Sequence, residues 1–350
     1  KAVRVGDVQL ASTAEVAQLH RWNRWQQHPP PTTVDTLPIP LRMERLAHDR
    51  CDSIAVVAGD EQMSYAAFNG CINQLAAFLR ALGVHPTMAV AVLMHHSVEF
   101  LVSLYAVWKV HGCYIPIDPA APKRRMEAIF DDSGVELVLT TSALLDVIGG
   151  GRIAVLCVDQ MWCAVRRQSD QDCFMPFPAH GLPAYTLYTS GSTGIPKGVM
   201  VDHEALRNRF AQLLRVWFSP SDVRSIATSS IGFDLSLAEL LIPPSCGGAV
   251  VLYPDEEQKE LLTIMQHIAR YQVSFTIGVT SAVTEMVELP SANVMLASVA
   301  EIHFGGERIT ARCLRQIRSS EYGLRLMHEY GPTEACVMMT HREPSLHSAV

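Results

Sequence analysis

The chain has 350 residues, of which 49% are hydrophobic and 18% are charged, so it is long enough for one large domain or two subdomains with a substantial core. Its formal net charge of -7 at pH 7 argues against a nucleic-acid-binding surface, which needs an excess of lysine and arginine. The sequence has no apolar run of the roughly 18 residues that a membrane span requires.

The cysteine content is typical of a protein in a reducing compartment. The nine cysteines are odd in number and form no C-x-x-C or Cys/His pattern with metal-ligand spacing. We therefore expect reduced thiols that mostly pack in the core, and a cytoplasmic location. The chain begins at Lys1 without a charged leader and apolar segment, so we do not expect secretion. The missing initiator methionine suggests a fragment of a longer protein.

The first 40 residues are expected to lie outside the main body. The segment STAEVAQLHRW has apolar residues at helical spacing and Ser12 as a candidate N-cap, which predicts a helix within residues 1–27. The next segment, HPPPTTVDTLPIP, contains five prolines, cannot continue a helix and is typical of an extended linker. We expect the compact body to begin near Leu41.

From Leu41 onward, short apolar strands alternate with helices, which is typical of βαβ units and parallel sheets. The first series comprises strands at 54–57, 88–94 and 136–141 and helices at YAAFNGCINQLAAFLRALGV and VEFLVSLYAVWKV. The second comprises strands at YTLYTS, GVMVDH, IATSS, AVVLY, VSFTIGV, EIHFGG and LRLMHEYG, and helices from about Glu204, near 236–242, at KELLTIMQHIARY and at RCLRQI. We predict an α/β fold with two sheet-containing, helix-flanked halves, joined by an irregular connection at 159–182 and meeting around residues 142–182.

A loop rich in glycine and hydroxyl groups, YTSGSTGIPKG, directly follows the apolar run PAYTL. Glycine lets backbone N–H groups turn toward an anion, and the loop adds four hydroxyl side chains and the cation of Lys197. Its spacing fits neither the G-x-x-x-x-G-K-[ST] loop nor the G-x-G-x-x-G fingerprint. From the residues alone, a polyphosphate-binding loop and an ordinary flexible turn are both open.

The segment TSGSTGIPKG resembles the phosphate-binding signature of the adenylate-forming superfamily, and more narrowly that of the adenylation domains of nonribosomal peptide synthetases. Further segments resemble other motifs of this family, in its order and over residues 40–340: MSYAAFN, WKVHGCYIPIDPAAPKRRMEAIFDDSG, IGFDLSLAELL, FGGE and EYGPTEACV. The resemblance implies that residues 41–350 are the large N-terminal subdomain of such a domain. It also implies that residues 1–40 are the end of an upstream condensation-type module. The family's later motifs do not occur, so we expect the small C-terminal subdomain to be absent and turnover to be poor.

The resemblance implies the function. Enzymes of this family join an amino acid to ATP as an aminoacyl adenylate, with Mg²⁺, and pass the acyl group to the phosphopantetheine thiol of a carrier domain during the synthesis of peptide antibiotics. Two alternatives are a stand-alone acyl- or aryl-CoA ligase and a catalytically silent module that binds an amino acid and a nucleotide. The proline linker and Asp234 argue against the first, and intact Lys197, Thr333 and Glu334 argue against the second.

The resemblance also assigns the nucleotide site. Catalytic roles fall to Thr189, Lys197, Thr333 and Glu334, and Glu334 would bind Mg²⁺, for which a carboxylate oxygen is apt. The remaining expected nucleotide-binding residues are Ser190, Gly191, Ser192, Thr193, Gly194, Gly305, Gly306, Glu307, Tyr330 and Gly331. From the residues alone, YGPTE also fits a turn in which Pro332 fixes φ.

The family's acid that pairs with the substrate α-ammonium corresponds to Asp234, which lies in an otherwise apolar stretch where an unpaired carboxylate is costly. An N-cap role for Asp234 or Ser236 is the alternative. The expected wall of the side-chain pocket is Leu235, Ala238, Ile277, Ile302, Phe304, Glu329, Val337 and Met338. If Glu329 faces inward, it favours a small polar amino acid with a side-chain N–H donor, such as asparagine or a diamino acid. If it turns away, a small aliphatic residue fits.

Overall fold

The structure, a computed structural model, describes residues 12–22, 37–148, 153–172, 177, 181–190, 196–216, 223–253, 260–309, 314–315, 324–337 and 340–342. The chain forms two compact units, one up to Thr36 and one from Leu37 onward. In the first unit, helix α1 (Thr13–Trp22) begins directly after Ser12. The Ser12 hydroxyl accepts a hydrogen bond from Glu15 N, and the Glu15 carboxylate accepts from Ser12 N. This capping box confirms the predicted role of Ser12.

Among the residues that the structure describes, every strand lies in the second unit. In chain order they are β1 (Ile54–Ala58), β2 (Glu61–Ser64), β3 (Ala89–Leu93), β4 (Cys113–Pro116), β5 (Leu137–Thr140), β6 (Ala154–Cys157), β7 (Pro183–Ser190), β8 (Pro196–Asp202), β9 (Arg224–Ala227), β10 (Ala249–Leu252), β11 (Phe275–Val279), β12 (Glu301–Gly305), β13 (Arg325–Tyr330) and β14 (Thr340–Arg342). Its helices are α2 (Ile39–Asp49), α3 (Tyr65–Ala81), α4 (Val98–Lys109), α5 (Lys123–Ser133), α6 (Leu145–Ile148), α7 (Val158–Val165), α8 (His203–Val216), α9 (Leu235–Ser245), α10 (Leu261–Arg270), α11 (Thr280–Glu288) and α12 (Ala292–Met295).

Two sheets confirm the predicted α/β class. One has eight strands in the order β14-β13-β12-β11-β9-β10-β1-β2, and the other six in the order β6-β5-β3-β4-β7-β8. Neighbouring strands are parallel except for the antiparallel pairs β1–β2, β13–β14 and β7–β8. Parallel strands place all their carboxyl ends at one edge, where the loops that leave them can form a site.

The predicted boundary between the halves, around residues 142–182, is wrong. The chain starts in the eight-stranded sheet with β1 and β2, builds the whole six-stranded sheet, and then returns to the first sheet. Strand β1 pairs in parallel with β10, so Val56 lies beside Val250. The alternation of strands and helices reveals which elements form, but such distant pairing depends on tertiary packing.

The predicted irregular connection at 159–182 begins with a helix instead. Helix α7 buries Val158 and Val165, and Trp162 packs partly against the same core. These residues follow the i, i+4, i+7 spacing of a helix face, so the sequence did contain a helical pattern, although over a short segment. The predicted helix RCLRQI lies largely outside the described residues.

Helix α4 fixes the strand that leads into the glycine-rich loop. Every residue from Phe100 to Lys109 is buried, and Ser97 caps the helix by accepting a hydrogen bond from Phe100 N at 3.1 Å. Trp108 Nε1 donates to Ala184 O in β7 at 2.6 Å. The buried Lys109 ammonium pairs with Glu44 at 2.8 Å and Asp172 at 3.1 Å, which offsets the cost of burying its charge.

The Glu239 carboxylate connects helix α9 to the loop after β9. It is fully buried and accepts hydrogen bonds from Thr228 N at 3.0 Å, Ser229 N at 2.9 Å and the Ser229 hydroxyl at 2.9 Å. Burial raises the pKa of Glu239 to about 7, although the hydrogen bonds from Ser229 lower it. This contact holds Thr228 and Ser229 beside the second turn of α9.

Replacing Glu239 by glutamine should remove a pH dependence of stability. The pKa of Glu239 rises from its ordinary value of 4.5 to about 7 on folding, so the folded chain binds more protons between these two values. The stabilisation that this raised pKa contributes is fully present below pH 4.5 and is lost as the pH rises to about 7. Relative to Glu239→Gln, we expect the wild-type free energy of unfolding to fall by on the order of 3 kcal/mol across this window, measured by urea titration. Glu127→Gln, at an exposed glutamate, is the control. Parallel pH profiles for wild type and Glu239→Gln would contradict the expectation.

Candidate active site

A cleft of about 540 Å³ lies where strands of both sheets reach their carboxyl ends. Segments after β4, β9 and β13 and the end of β7 contribute to it, which is the position expected for a ligand in an α/β fold. The lining residues are Asp118, Ala120, Ala121, Pro122, Arg125, Leu187, Tyr188, Thr189, Ser190, Ser230, Gly232, Phe233, Asp234 and Thr333. The cleft therefore brings together four residues predicted from the sequence: Thr189, Ser190, Asp234 and Thr333.

The predicted phosphate loop connects two antiparallel strands. Thr189 and Ser190 end β7, and Lys197 lies directly opposite Thr189 on β8 with its side chain exposed. A Cβ atom on Gly198 would lie 3.1 Å from the Tyr188 ring, so a residue without a side chain lets the two strands approach here. The expected phosphate-binding residues Gly191, Ser192, Thr193 and Gly194 lie outside the described residues.

Asp234 lies directly before α9 and makes no side-chain capping hydrogen bond to that helix. Burial, the largest influence on this carboxyl, raises the pKa of Asp234. The alternative cap, Ser236, donates its hydroxyl to Phe233 O at 2.6 Å. The Asp234 carboxylate thus lines the cleft in a partly desolvated position, where a cationic partner would stabilise it.

The segment YGPTE forms a tight turn beside the cleft. Residues Thr333–Ala335 form a single 3₁₀ turn, in which Thr333 lines the cleft and Glu334 is exposed. Tyr330, at the end of β13, exposes 62% of its surface and presents a ring at this edge. Cys336 and Val337 follow with φ angles of 60° and 70°, in the left-handed region, which costs about 1–3 kcal/mol each for side chains of this kind.

The segment Gly305–Glu307 follows β12. A Cβ atom on Gly305 would lie 2.4 Å from Glu329 O, so this position needs a residue without a side chain next to β13. Gly306 has a φ of 74°, in the region that glycine favours. The Glu307 carboxylate accepts a hydrogen bond from Ser281 N at 2.8 Å and so holds the first turn of α11.

The expected side-chain pocket is only partly assembled. Ala238, Ile277 and Val337 share one core cluster, and Leu235 packs against it. Ile302 and Phe304 belong to a second cluster, with Val283 and Met286 of α11. Alternate residues of a strand face opposite sides of its sheet, so Ile302 and Phe304 point away from the face that carries His303. Met338 lies outside the described residues.

Glu329 is buried, with 3% of its surface exposed, and has a partner that the sequence analysis missed. Its Oε1 atom lies 2.7 Å from Nδ1 of His303, whose Nε2 atom lies 3.1 Å from Glu301 Oε1. The Oε2 atom of Glu329 has no hydrogen-bond partner within the described part of the chain. Glu301 and His303 are two residues apart in an otherwise apolar strand, and this spacing could have predicted that they share one face of the sheet.

Three further polar residues of the cleft also escaped the sequence analysis. The Ser230 hydroxyl donates a hydrogen bond to the Asp118 carboxylate, and so joins the loop after β9 to the segment after β4. Arg125 Nη2 donates to Tyr188 O at 2.7 Å, beside the end of β7. Asp118 falls in the segment IPIDPAAP, where a single acid among apolar residues and prolines was the available signal.

The described residues contain no group of three or more His, Cys, Asp or Glu side chains that could hold a metal ion. Mg²⁺ commonly binds through one or two carboxylates together with substrate phosphates. The exposed Glu334 carboxylate, next to Thr333, fits that mode. Within the same described ranges, no helix is long and apolar enough to cross a membrane.

Comparison with known proteins identifies the family. The family described as AMP-binding enzyme matches residues 43–349. Tyrocidine synthase 3 of Brevibacillus parabrevis is 32% identical over 300 residues, which are 85% of this chain and 4% of that protein. Gramicidin S synthase 2 of Brevibacillus brevis is 30% identical over 345 residues, which are 97% of this chain and 7% of that protein. The chain therefore spans less than a tenth of either relative.

Solved structures agree with this match. The nonribosomal peptide synthetase FmoA3 superposes with a TM-score of 0.85 at 25% identity, over 98% of this chain and 36% of that chain. Its AMPPNP-bound form gives a TM-score of 0.84 at 26% identity, over 96% and 35%. The N-terminal subdomain of Klebsiella oxytoca NpsA gives a TM-score of 0.77 at 18% identity, over 87% and 76%, and supports the fold alone. The chain belongs to the AMP-binding enzyme family, and it corresponds to the N-terminal subdomain of a nonribosomal peptide synthetase adenylation domain.

Proposed function

We propose that this chain activates an α-amino acid with ATP to give an aminoacyl adenylate and pyrophosphate. A carboxylate oxygen of the amino acid attacks the α-phosphorus of ATP, a new P–O bond forms, and the bond to the leaving pyrophosphate breaks. The observation that carries the proposal is the single cleft shared by Thr189, Ser190, Asp234 and Thr333. It offers hydroxyl donors for phosphate oxygens and a carboxylate for an ammonium group.

Asp234 is proposed to bind the α-ammonium of the substrate. Burial disfavours the ionised carboxylate, so an ammonium in contact with it replaces the lost hydration by a charge-assisted hydrogen bond. Thr333 lines the same cleft as Asp234, and its hydroxyl is proposed to contact the α-phosphate. A substrate without an α-amino group would leave Asp234 buried and unpaired.

The hydroxyl groups of Thr189 and Ser190 and the ammonium of Lys197 are proposed to hold the β- and γ-phosphates. Lys197 lies directly opposite Thr189, so one cation and two hydroxyls are grouped at the mouth of the hairpin. Mg²⁺, when bound, would neutralise phosphate charge there, with Glu334 as its protein ligand. The exposed ring of Tyr330 is proposed to pack on the adenine, together with the adjacent Gly331. Gly305, Gly306 and Glu307 are proposed to line the same side, because β12 ends beside β13 with Gly305 paired to Glu329.

The wider assembly is also a proposal. An artificial fusion that joins NpsA to a carrier protein has been solved, and the curated relatives are peptide synthases. We infer that the activated acyl group passes to a phosphopantetheine thiol on a carrier domain in the cytoplasm. Residues 1–40 would then connect an upstream condensation-type module to the adenylation domain at 41–350. The unpartnered Oε2 atom of Glu329 supports an amino acid with a side-chain N–H donor.

Replacing Asp234 by asparagine should abolish recognition of the amino group. An uncharged amide cannot offset the charge of a desolvated ammonium, so we expect amino-acid affinity to fall by about 100-fold or more. Calorimetric titration with asparagine and valine, in the presence of AMPPNP and Mg²⁺, measures the effect. AMPPNP affinity should stay unchanged in this variant, and Asp131→Asn, at an exposed aspartate of α5, is the matched control. Equal amino-acid affinity in wild type and Asp234→Asn would overturn the assignment.

Replacing Glu334 by glutamine should weaken the response to Mg²⁺. A neutral amide is a poorer ligand for a hard cation, so we expect the enhancement of AMPPNP binding by Mg²⁺ to fall by about tenfold. The experiment compares AMPPNP titrations with Mg²⁺ and with a chelator for wild type, Glu334→Gln and the control Glu127→Gln. If Glu334→Gln keeps the wild-type response to Mg²⁺, Glu334 is not a metal ligand.

A further inference from the structure

Among the residues that the structure describes, the cleft at the carboxyl ends of the strands is lined by one positively charged side chain, that of Arg125. The other charged lining residues are Asp118 and Asp234, so the described wall carries a net negative charge. Lys197, proposed above to hold phosphates, is exposed and is not part of this wall. A nucleoside triphosphate that enters the cleft therefore needs the charge of Arg125 to offset the repulsion from two carboxylates.

The guanidinium of Arg125 has donors left for an anion. Its Nη2 atom donates to Tyr188 O at 2.7 Å, and within the described part of the chain it forms no ion pair. A guanidinium has five N–H donors, so this bond uses only one of them. The carboxylate of Asp118 is held elsewhere, because its Oδ1 atom accepts from Ala120 N at 2.8 Å and its Oδ2 atom accepts from the Ser230 hydroxyl.

Helix α5 holds Arg125 in a fixed position against strand β7. Arg125 and Asp132 are seven residues apart on this helix and so lie on one face of it. Arg125 binds the backbone oxygen of Tyr188, and the Asp132 carboxylate accepts a hydrogen bond from the Tyr188 hydroxyl at 2.8 Å. The Tyr188 ring is buried in a core cluster with Met126 and Ile129 of the same helix. Groups carried by such packed elements bind a ligand more precisely than groups on loops.

The bond to Tyr188 places Arg125 beside the terminal phosphates. Tyr188 directly precedes Thr189 and Ser190, whose hydroxyls are proposed to hold the β- and γ-phosphates, and all four residues line the cleft. Thr333, proposed to contact the α-phosphate, follows β13 in the other sheet. The guanidinium therefore belongs to the part of the cleft that would receive the β- and γ-phosphates.

We propose that Arg125 binds the β- and γ-phosphates of ATP and stabilises the pyrophosphate that leaves. This rests on the amino-acid activation proposed above. The planar guanidinium presents N–H donors in the geometry that phosphate oxygens accept. When the bond between the α-phosphorus and the bridging oxygen breaks, its electron pair stays on the pyrophosphate. A fixed cation beside the pyrophosphate stabilises the negative charge that develops there.

Replacing Arg125 by glutamine tests the proposal. Glutamine has an N–H group that can donate to Tyr188 O, but it has no charge. We expect the affinity for AMPPNP to fall by at least about tenfold and that for AMP to stay within about twofold, because AMP lacks the β- and γ-phosphates. Calorimetric titration of each nucleotide with Mg²⁺ present measures both values. Equal losses for AMPPNP and AMP would make Arg125 a structural residue and overturn the proposal, as would no loss for either nucleotide.

Two further variants sharpen this test. Arg125→Lys keeps the charge without the planar fork, so its AMPPNP affinity should lie between those of wild type and Arg125→Gln. A lysine variant that binds AMPPNP no better than the glutamine variant would contradict a role for the charge. Arg124→Gln is the matched control, because Arg124 is the preceding residue of the same helix, is exposed and does not line the cleft. It should bind both nucleotides like wild type.

The outcomes separate this inference from the function on which it rests. If the wild-type chain binds neither AMPPNP nor AMP, the proposed activation with ATP fails. If it binds both, and the folded Arg125→Gln and Arg125→Lys variants keep the wild-type ratio of AMPPNP to AMP affinity, only the role of Arg125 fails.

Discussion

The packing of helix α9 against the end of strand β9 depends on one buried carboxylate, that of Glu239. It accepts hydrogen bonds from the backbone of Thr228 and Ser229 and so fixes the loop that runs from β9 to Asp234. Ser230, in the same loop, bonds to Asp118 of the other sheet. The position of Asp234 thus follows from a contact about one and a half turns along its own helix, since an α-helix has about 3.6 residues per turn.

The interleaved order of the chain explains why the cleft can combine chemically different groups. The six-stranded sheet supplies Thr189 and Ser190 at the end of β7, and the eight-stranded sheet supplies Asp234 and Thr333. Because the loops leave at the carboxyl ends of parallel strands, the residues proposed to bind phosphate and the amino acid face a shared space.

Local patterns in the sequence predicted most of the elements, because periodic burial is a local property. They failed where the outcome depends on distant packing. The pairing of β1 with β10 has no local signal, and Ile302 and Phe304 share the strand of His303 but face its other side. Asp234 could be singled out as a candidate cleft residue, because a carboxylate in an apolar run is unusual.

Activation of an α-amino acid can be measured by the exchange of labelled pyrophosphate into ATP. The protein is supplied in turn with amino acids, with their analogues that lack the α-amino group, and with salicylate. We expect exchange with an α-amino acid and none with its deaminated analogue, because that analogue leaves Asp234 unpaired. Equal exchange with the analogue, or exchange with salicylate alone, would contradict amino-acid activation and point to an acyl or aryl ligase.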